Sequence, residues 1–169
     1  VARYPQVDLD IRFLDSEQAW NEVLQGRIDL ALTTLGPATS PLQAAPLWED
    51  PLCFVAAPNH PLARRARPTL AELSAHPAVL PETHTFTHRI VADAFGRRGL
   101  PLRLRMTSNY METLKMLASV GLAWGVLPVS GLKLSRQLGC VTHAGRTPSR
   151  ATQAFIALLD GGRDRAANA

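Results

Sequence analysis

Residues 109–128 constrain the fold more than any other part of this 169-residue chain. Apolar residues at helical spacing precede a glycine and an unbroken apolar run, and this order predicts a helix that leads into a buried strand. Asn109 and Glu112 have the spacing of a capping box, Gly121 predicts the helix end, and residues 122–127 are the predicted strand. A unit of this kind commonly forms one wall of a small-molecule site. The predicted inward face of the helix is Tyr110, Met111, Leu114, Leu117 and Ala118.

The rest of the sequence alternates between strand and helix patterns. This alternation predicts an α/β protein with parallel sheets that bind ligands at their strand ends. The predicted strands are residues 7–13, 28–32, 42–48, 52–57, 78–80, 102–106 and 138–143. The other predicted helices begin at Asp15 or Ser16, at residue 70, at Thr85 or Thr87 and at Ser149, and the last is followed by a loose tail at residues 161–169.

Prolines at positions 58, 61 and 68 predict a change of chain direction and a boundary between two lobes. We therefore expect residues 1–58 to form the first lobe and residues 59–137 the second. Residues 138–169 then return to the first lobe and end it with a helix.

Composition and charge argue against a nucleic-acid surface in this chain. The net charge is +4, the arginines are scattered, and no aromatic residues interleave with them. If DNA is bound, we expect another domain to bind it. The sequence has no apolar run of membrane-spanning length and no signal peptide. Because it begins with valine and not with methionine, the missing signal peptide is weak evidence.

The residue types that support metal or catalytic chemistry form no recognised signature. Cys53 and Cys140 fit buried, reduced thiols in a cytoplasmic protein. His84 and His88 have a metal-like spacing of four residues, but no third ligand is evident, so a polar helix face is favoured and no metal or cofactor is expected. Enzyme motifs such as a nucleophile elbow or a phosphate-binding loop are absent, and we predict no catalytic activity. A catalytic site assembled from residues that are distant in sequence would carry no such motif, and this alternative is left open.

Three segments carry a resemblance to a known family. Residues 112–128 resemble an E-T-x-K/R-x-x-V-x-x-G-x-G-x-x-x-L-P pattern, residues 25–32 resemble a G-x-(I/L)-D-(L/I)-A-(I/L) turn into a strand, and residues 50–63 resemble a central strand followed by H-P-L-A. All three patterns are found, in the same order along the chain, in the effector-binding domain of LysR-type transcriptional regulators.

The resemblance implies a specific architecture and role. The fold would consist of two Rossmann-like lobes joined by two crossover strands, like type II periplasmic binding proteins, with a small anionic or polar effector between them. The whole regulator would bind DNA through an N-terminal winged helix-turn-helix that is not in this sequence, and would form a homodimer or homotetramer in the cytoplasm. The alternatives are a periplasmic-type solute receptor and, less favoured, an enzyme on the same scaffold.

Two departures from the family pattern affect this interpretation. The family's domain normally opens with a strand, a loop and a helix before the position of Tyr4, and these elements are not in the sequence. The family also usually has a helix after the Leu-Pro that matches Leu127 and Pro128, whereas here residues 129–134 run almost directly into the next strand. We interpret the second departure as residues absent from the sequence.

Candidate effector contacts lie where strands lead into helices, because free N–H groups at helix N-termini attract anions. Thr87 is the first candidate, because residues 86–89 resemble an F-T-x-R variant of the family. Ser16 and Asn109 are equally well explained as helix caps, whereas a ligand role is favoured for Thr33 and Thr87. Trp124 and Phe86 fit either the core or the site. The predicted effector-binding residues are Thr87, Thr33, Thr85, Ser16, Asn109, Phe86, Arg89 and Trp124.

Overall fold

The computed structural model describes residues 4–65, 67–128 and 134–166, and six strands and five α-helices lie in these ranges. The strands are β1 Leu30–Thr34, β2 Leu42–Val55, β3 Ala78–Leu80, β4 Leu104–Thr107, β5 Trp124–Pro128 and β6 Leu134–His143. The helices are α1 Ser16–Leu24, α2 Leu70–Ser74, α3 Phe86–Gly96, α4 Met111–Ser119 and α5 Arg150–Ala166, with a short 3-10 helix at Pro61–Arg64. No helix in the described ranges has the length and apolarity needed to cross a bilayer.

The chain divides into two compact units that are joined by two strands. The first unit contains Val1–Trp48 and Gln137–Ala169, and the second contains Glu49–Arg136. Strands β2 and β6 each run from one unit into the other, as the predicted architecture with two crossover strands requires. The division falls inside β2, whereas the predicted lobe boundary after residue 58 rested on the prolines that follow this strand.

In the first unit, β1 pairs antiparallel with β6, and α1 packs on the unit's core through Ala19, Trp20 and Val23. Asp15 is the N-cap of α1, and its side chain accepts a hydrogen bond from the Gln18 N–H. The indole N–H of Trp20 donates to the Thr34 carbonyl at 3.2 Å and so ties the helix to the strand. The helix is followed by Gly26, which lies in the left-handed region at φ 66° and ends the helix.

In the second unit the strand order is β2-β5-β3-β4. Strand β3 is parallel to both β4 and β5, and β2 is antiparallel to β5. Trp124 is fully buried in the core, where its ring stacks on Phe95 at a centroid distance of 5.8 Å and meets Phe54 edge-on at 5.2 Å. The parallel strands place the starts of α3 and α4 at one edge of this sheet, because both helices follow the carboxyl ends of strands.

Residues 7–13 were predicted as a strand, and this prediction is wrong. They have no regular secondary structure, and Leu9, Ile11 and Phe13 are 51%, 68% and 96% exposed. Alternating apolar residues indicate a strand only where a neighbouring strand supplies hydrogen bonds, and no described strand pairs with this segment.

Two further predictions need correction. The two strands predicted at residues 42–48 and 52–57 are one strand, β2, because the fixed φ of Pro46 and Pro51 is compatible with extended backbone. The tail predicted at residues 161–169 is helical as far as Ala166, where α5 ends. The departure at residues 129–134 lies outside the described residues except for Leu134, which begins β6.

Candidate functional site

The loops that follow β3 and β4 lie together at the edge where α3 and α4 begin. The Ser108 N–H donates to the Leu80 carbonyl at 3.0 Å, and the Glu82 N–H donates to Asn109 Oδ1 at 3.1 Å. These two hydrogen bonds join the two loops, which are more than twenty residues apart in sequence. The edge of a parallel sheet with helix N-termini is the usual ligand-binding region of an α/β fold.

Thr85 is the N-cap of α3, and both hydrogen-bonding roles of its hydroxyl are in use. Oγ1 accepts from the His88 N–H at 3.2 Å and donates to the Glu82 carbonyl at 2.8 Å. The residue is buried, with 7% of its surface exposed. The capping role therefore accounts fully for Thr85, and its proton is already committed.

Thr87 lies in the first turn of α3 and contacts a charged network. Its Oγ1 accepts a hydrogen bond from Arg136 Nη1 at 3.0 Å, and Arg136 Nε donates to Asp50 Oδ2 at 2.6 Å. The side chains of Arg136 and Asp50 are only 18% and 21% exposed, so the pair is shielded from water. The pair connects β6 and β2 within the second unit and holds a cation beside the start of α3.

The start of α4 differs from the capping box that its sequence predicts. The N-cap is Tyr110, which makes no capping hydrogen bond with its side chain. Asn109 is not the cap, because its side chain accepts from Glu82 of the neighbouring loop. Tyr110 and Met111 are 78% and 43% exposed rather than inward, so only Leu114, Leu117 and Ala118 of the predicted face pack on the core side.

Of the predicted aromatic and cationic contacts, Phe86 and Arg89 lie on the first turn of α3, and Trp124 lies in the core. The guanidinium of Arg89 lies over the Phe86 ring at 4.7 Å from its centroid, on the first turn of α3, where Phe86 is half-buried and Arg89 exposed. Trp124 has no exposed surface, and its indole N–H donates to the carbonyls of Leu73 and His76. Trp124 is therefore a core residue, which is one of the two alternatives that its sequence context left open.

Thr33 and Ser16 belong to the first unit. Thr33 is buried in β1, where it faces Gly139 of β6 in the strand register. Ser16 is the first residue of α1 and is half-buried, while the capping role belongs to Asp15. The second unit thus brings together Thr85, Thr87, Phe86, Arg89 and Asn109, and Thr33 and Ser16 lie in the other unit.

The histidine pair does not share a helical face. His84 precedes α3, whereas His88 is buried within it and its Nδ1 hydrogen-bonds to the Pro81 carbonyl at 2.8 Å. No group of three or more metal-ligating side chains occurs among the residues that the structure describes.

Arg136 and Asp50 were not among the predicted site residues. They are 86 positions apart, and neither lies in a motif that indicates a site. Only the pairing of the strands that carry them brings the two side chains together, so no local signal in the sequence identifies this pair.

The family of LysR substrate binding domains matches residues 1–163 of the chain. The probable nitrogen assimilation transcriptional activator of Synechocystis sp. is 30% identical over 112 residues, which are 64% of this chain and 36% of that protein. The HTH-type transcriptional regulator CysB of Haemophilus influenzae is 30% identical over 129 residues, 74% of this chain and 39% of that protein. The chain thus spans about two fifths of the length of these curated relatives.

Solved structures show the same fold. The regulatory domain of CcmR from Synechocystis PCC6803, in complex with 2-PG, has a TM-score of 0.83 at 21% identity and covers 96% of this chain and 86% of its own. The C-terminal domain of a probable LysR family regulator from Rhodococcus sp. RHA1 has a TM-score of 0.82 at 23% identity, with 94% and 86% covered. The effector binding domain of QuiR in complex with shikimate has a TM-score of 0.82 at 15% identity, with 89% and 79% covered.

Proposed function

The chain belongs to the family of LysR substrate binding domains, and we propose that it is the effector-sensing part of a DNA-binding transcriptional regulator. The curated relatives are named as transcriptional regulators, and the matched segments make up only 36% and 39% of their length. The remainder of such a protein has room for a separate DNA-binding domain, which fits the scattered charge of this chain. We propose no catalytic role.

We propose that the effector is a small anion, for instance a carboxylate, that binds at the start of α3. The observation that carries this proposal is the Thr87 hydroxyl, which lies on the first turn of the helix and is bonded to Arg136. The N-terminal dipole of α3 favours a negative charge here. QuiR and CcmR, which have the same fold, are described in complex with shikimate and 2-PG, and both of these ligands are carboxylates.

We propose that the effector acts by shifting the protein between conformations of unequal effector affinity. A ligand changes a conformational equilibrium only as far as it binds one state better than the other. In a cytoplasmic homodimer or homotetramer, such a shift would change how the DNA-binding domains are presented. DNA binding measured with and without effector tests this step on the full-length regulator.

The first experiment measures binding of shikimate, 2-phosphoglycolate and inorganic sulfate to the purified protein by isothermal titration calorimetry. We expect at least one of these anions to bind, and Thr87→Val to weaken its binding by about five-fold or more because a hydrogen-bond donor is lost at nearly constant volume. Thr152→Val is the matched control, since Thr152 is also a buried threonine in the first turn of a helix but lies in the other unit. Equal affinities of the Thr87 and Thr152 variants would contradict the proposed site.

A further inference from the structure

We infer that Arg136 is a positioning residue that turns the Thr87 hydroxyl into a hydrogen-bond donor for the effector. This inference rests on the proposed function and adds a residue that no sequence motif identifies. A guanidinium can only donate hydrogen bonds, so the Arg136–Thr87 contact of 3.0 Å occupies a lone pair of Oγ1 and leaves the hydroxyl proton for another acceptor.

The neighbouring threonine shows the opposite arrangement. The Thr85 proton is donated to the Glu82 carbonyl at 2.8 Å, so it cannot also serve a ligand. Within the described residues, no acceptor takes the Thr87 proton. The start of α3 therefore has two buried hydroxyls of which only the Thr87 hydroxyl has a proton to donate, and this proton suits an anion rather than a cation.

Asp50 fixes the direction from which Arg136 approaches. Nε of the guanidinium donates to Asp50 at 2.6 Å, and Nη1, on the same planar group, donates to Thr87. The two bonds use different edges of one rigid fork, so the carboxylate orients the donor that faces Thr87. A lysine has one ammonium group with no fixed fork, and we expect it to keep the charge but lose this orientation.

The same network limits the charge that Arg136 offers to a ligand. The Asp50 carboxylate pairs with the guanidinium and offsets its charge, and both side chains are mostly buried. The Nη1 donor is directed at Thr87, which favours an action through Thr87 over a direct contact with the effector. Action through Thr87 and direct contact with the effector predict different affinities when Arg136 and Thr87 are both changed.

The test is a double-mutant cycle with Arg136→Lys, Thr87→Val and the combined variant, measured as affinity for shikimate, 2-phosphoglycolate and sulfate. Thermal unfolding of each variant is recorded in the same buffers. The lysine variant keeps a cation opposite Asp50, and Asp50→Asn/Arg136→Gln provides a second, charge-neutral variant if the lysine variant does not fold. Thr152→Val again serves as the control.

We expect Arg136→Lys to weaken binding by about ten-fold when Thr87 is present, and by less than about two-fold when it is combined with Thr87→Val. Equal losses in both backgrounds would overturn the inference, because Arg136 would then act on the anion without Thr87. A change of thermal stability with unaltered affinity would also overturn it and leave Arg136 as a structural residue. If the unmodified protein binds none of the three anions, the proposed function itself fails, and this result differs from the other two.

Discussion

The starts of α3 and α4 lie at the same edge of one sheet, yet their hydrogen bonds are organised in opposite ways. Helix α3 has a buried threonine cap and a second buried threonine that is held by Arg136. Helix α4 has an exposed tyrosine at the cap position and no capping bond from its side chain. Asn109, the residue that resembles a cap in sequence, instead joins the two loops. A cap-like sequence therefore indicates a helix start, but neighbouring loops decide which backbone group the side chain binds.

The largest expected change in the free energy of unfolding comes from removing the N-cap of α3. Thr85→Ala deletes a hydroxyl that accepts from His88 and donates to Glu82, and we expect a loss of about 1–2 kcal/mol in the free energy of unfolding. Chemical denaturation of the variant beside Thr85→Ser measures this loss. The serine variant keeps the hydroxyl and should retain most of the stability; an equal loss in both variants would assign the effect to the missing methyl group.

We expect a smaller change in the free energy of unfolding, of opposite sign, from adding an N-cap to α4. Tyr110 already has the extended backbone of an N-cap, with φ −87° and ψ 113°, so Tyr110→Ser places an acceptor next to the unpaired N–H groups of the first turn. We expect a gain of about 0.5–1 kcal/mol relative to Tyr110→Ala, which removes the ring without adding a cap. Equal stability of the serine and alanine variants would show that water already satisfies these groups.

A further helix start in the second unit, that of the 3-10 helix, adds a dependence of stability on pH. The Leu62 N–H donates to Nδ1 of His60, which is buried, and the His76 ring lies 5.0 Å away. Burial, and then the charge of His76, lower the pKa of His60 below its ordinary value. As the pH falls, the unfolded state therefore binds the His60 proton before the folded state does.

Stability from this histidine is present above about pH 6.5, the ordinary pKa in the unfolded chain, and is lost as the pH falls towards the lower pKa of the folded state. We expect the melting temperature of the unmodified protein to fall between about pH 7 and pH 5 more steeply than that of His60→Asn. Asparagine keeps an acceptor for Leu62 without a charge to gain. Parallel melting curves in the two proteins would contradict the assignment to His60.

Local sequence patterns predicted the parts of the fold that depend on neighbours along the chain. Strand β3 has the predicted bounds, and α3 begins after Thr85, one of the two predicted caps. Gly121, the predicted end of α4, has a positive φ, as do Gly26 and Gly99 after α1 and α3, because a residue without a Cβ enters this region without strain. The family resemblance added the fold class with its two crossover strands, which alternation alone left open.

The predictions that failed depended on partners that a pattern cannot specify. Residues 7–13 alternate like a strand but are not paired in the structure. Asn109 was predicted to cap its own helix and binds the loop after β3 instead. In each case the backbone preference was compatible with more than one environment, and packing selected among them.

The sequence by itself determined the start of α3, the glycine that ends α4 and the family, because these depend on propensity and on motifs within short segments. The tertiary structure decided which hydroxyl at the start of α3 has a proton to donate. That outcome depends on Arg136 and Asp50, which are 86 residues apart and meet only when their two strands come together. Hydrogen bonds of this kind are set by distances of about 3 Å between side chains, and no spacing along the chain encodes such a distance.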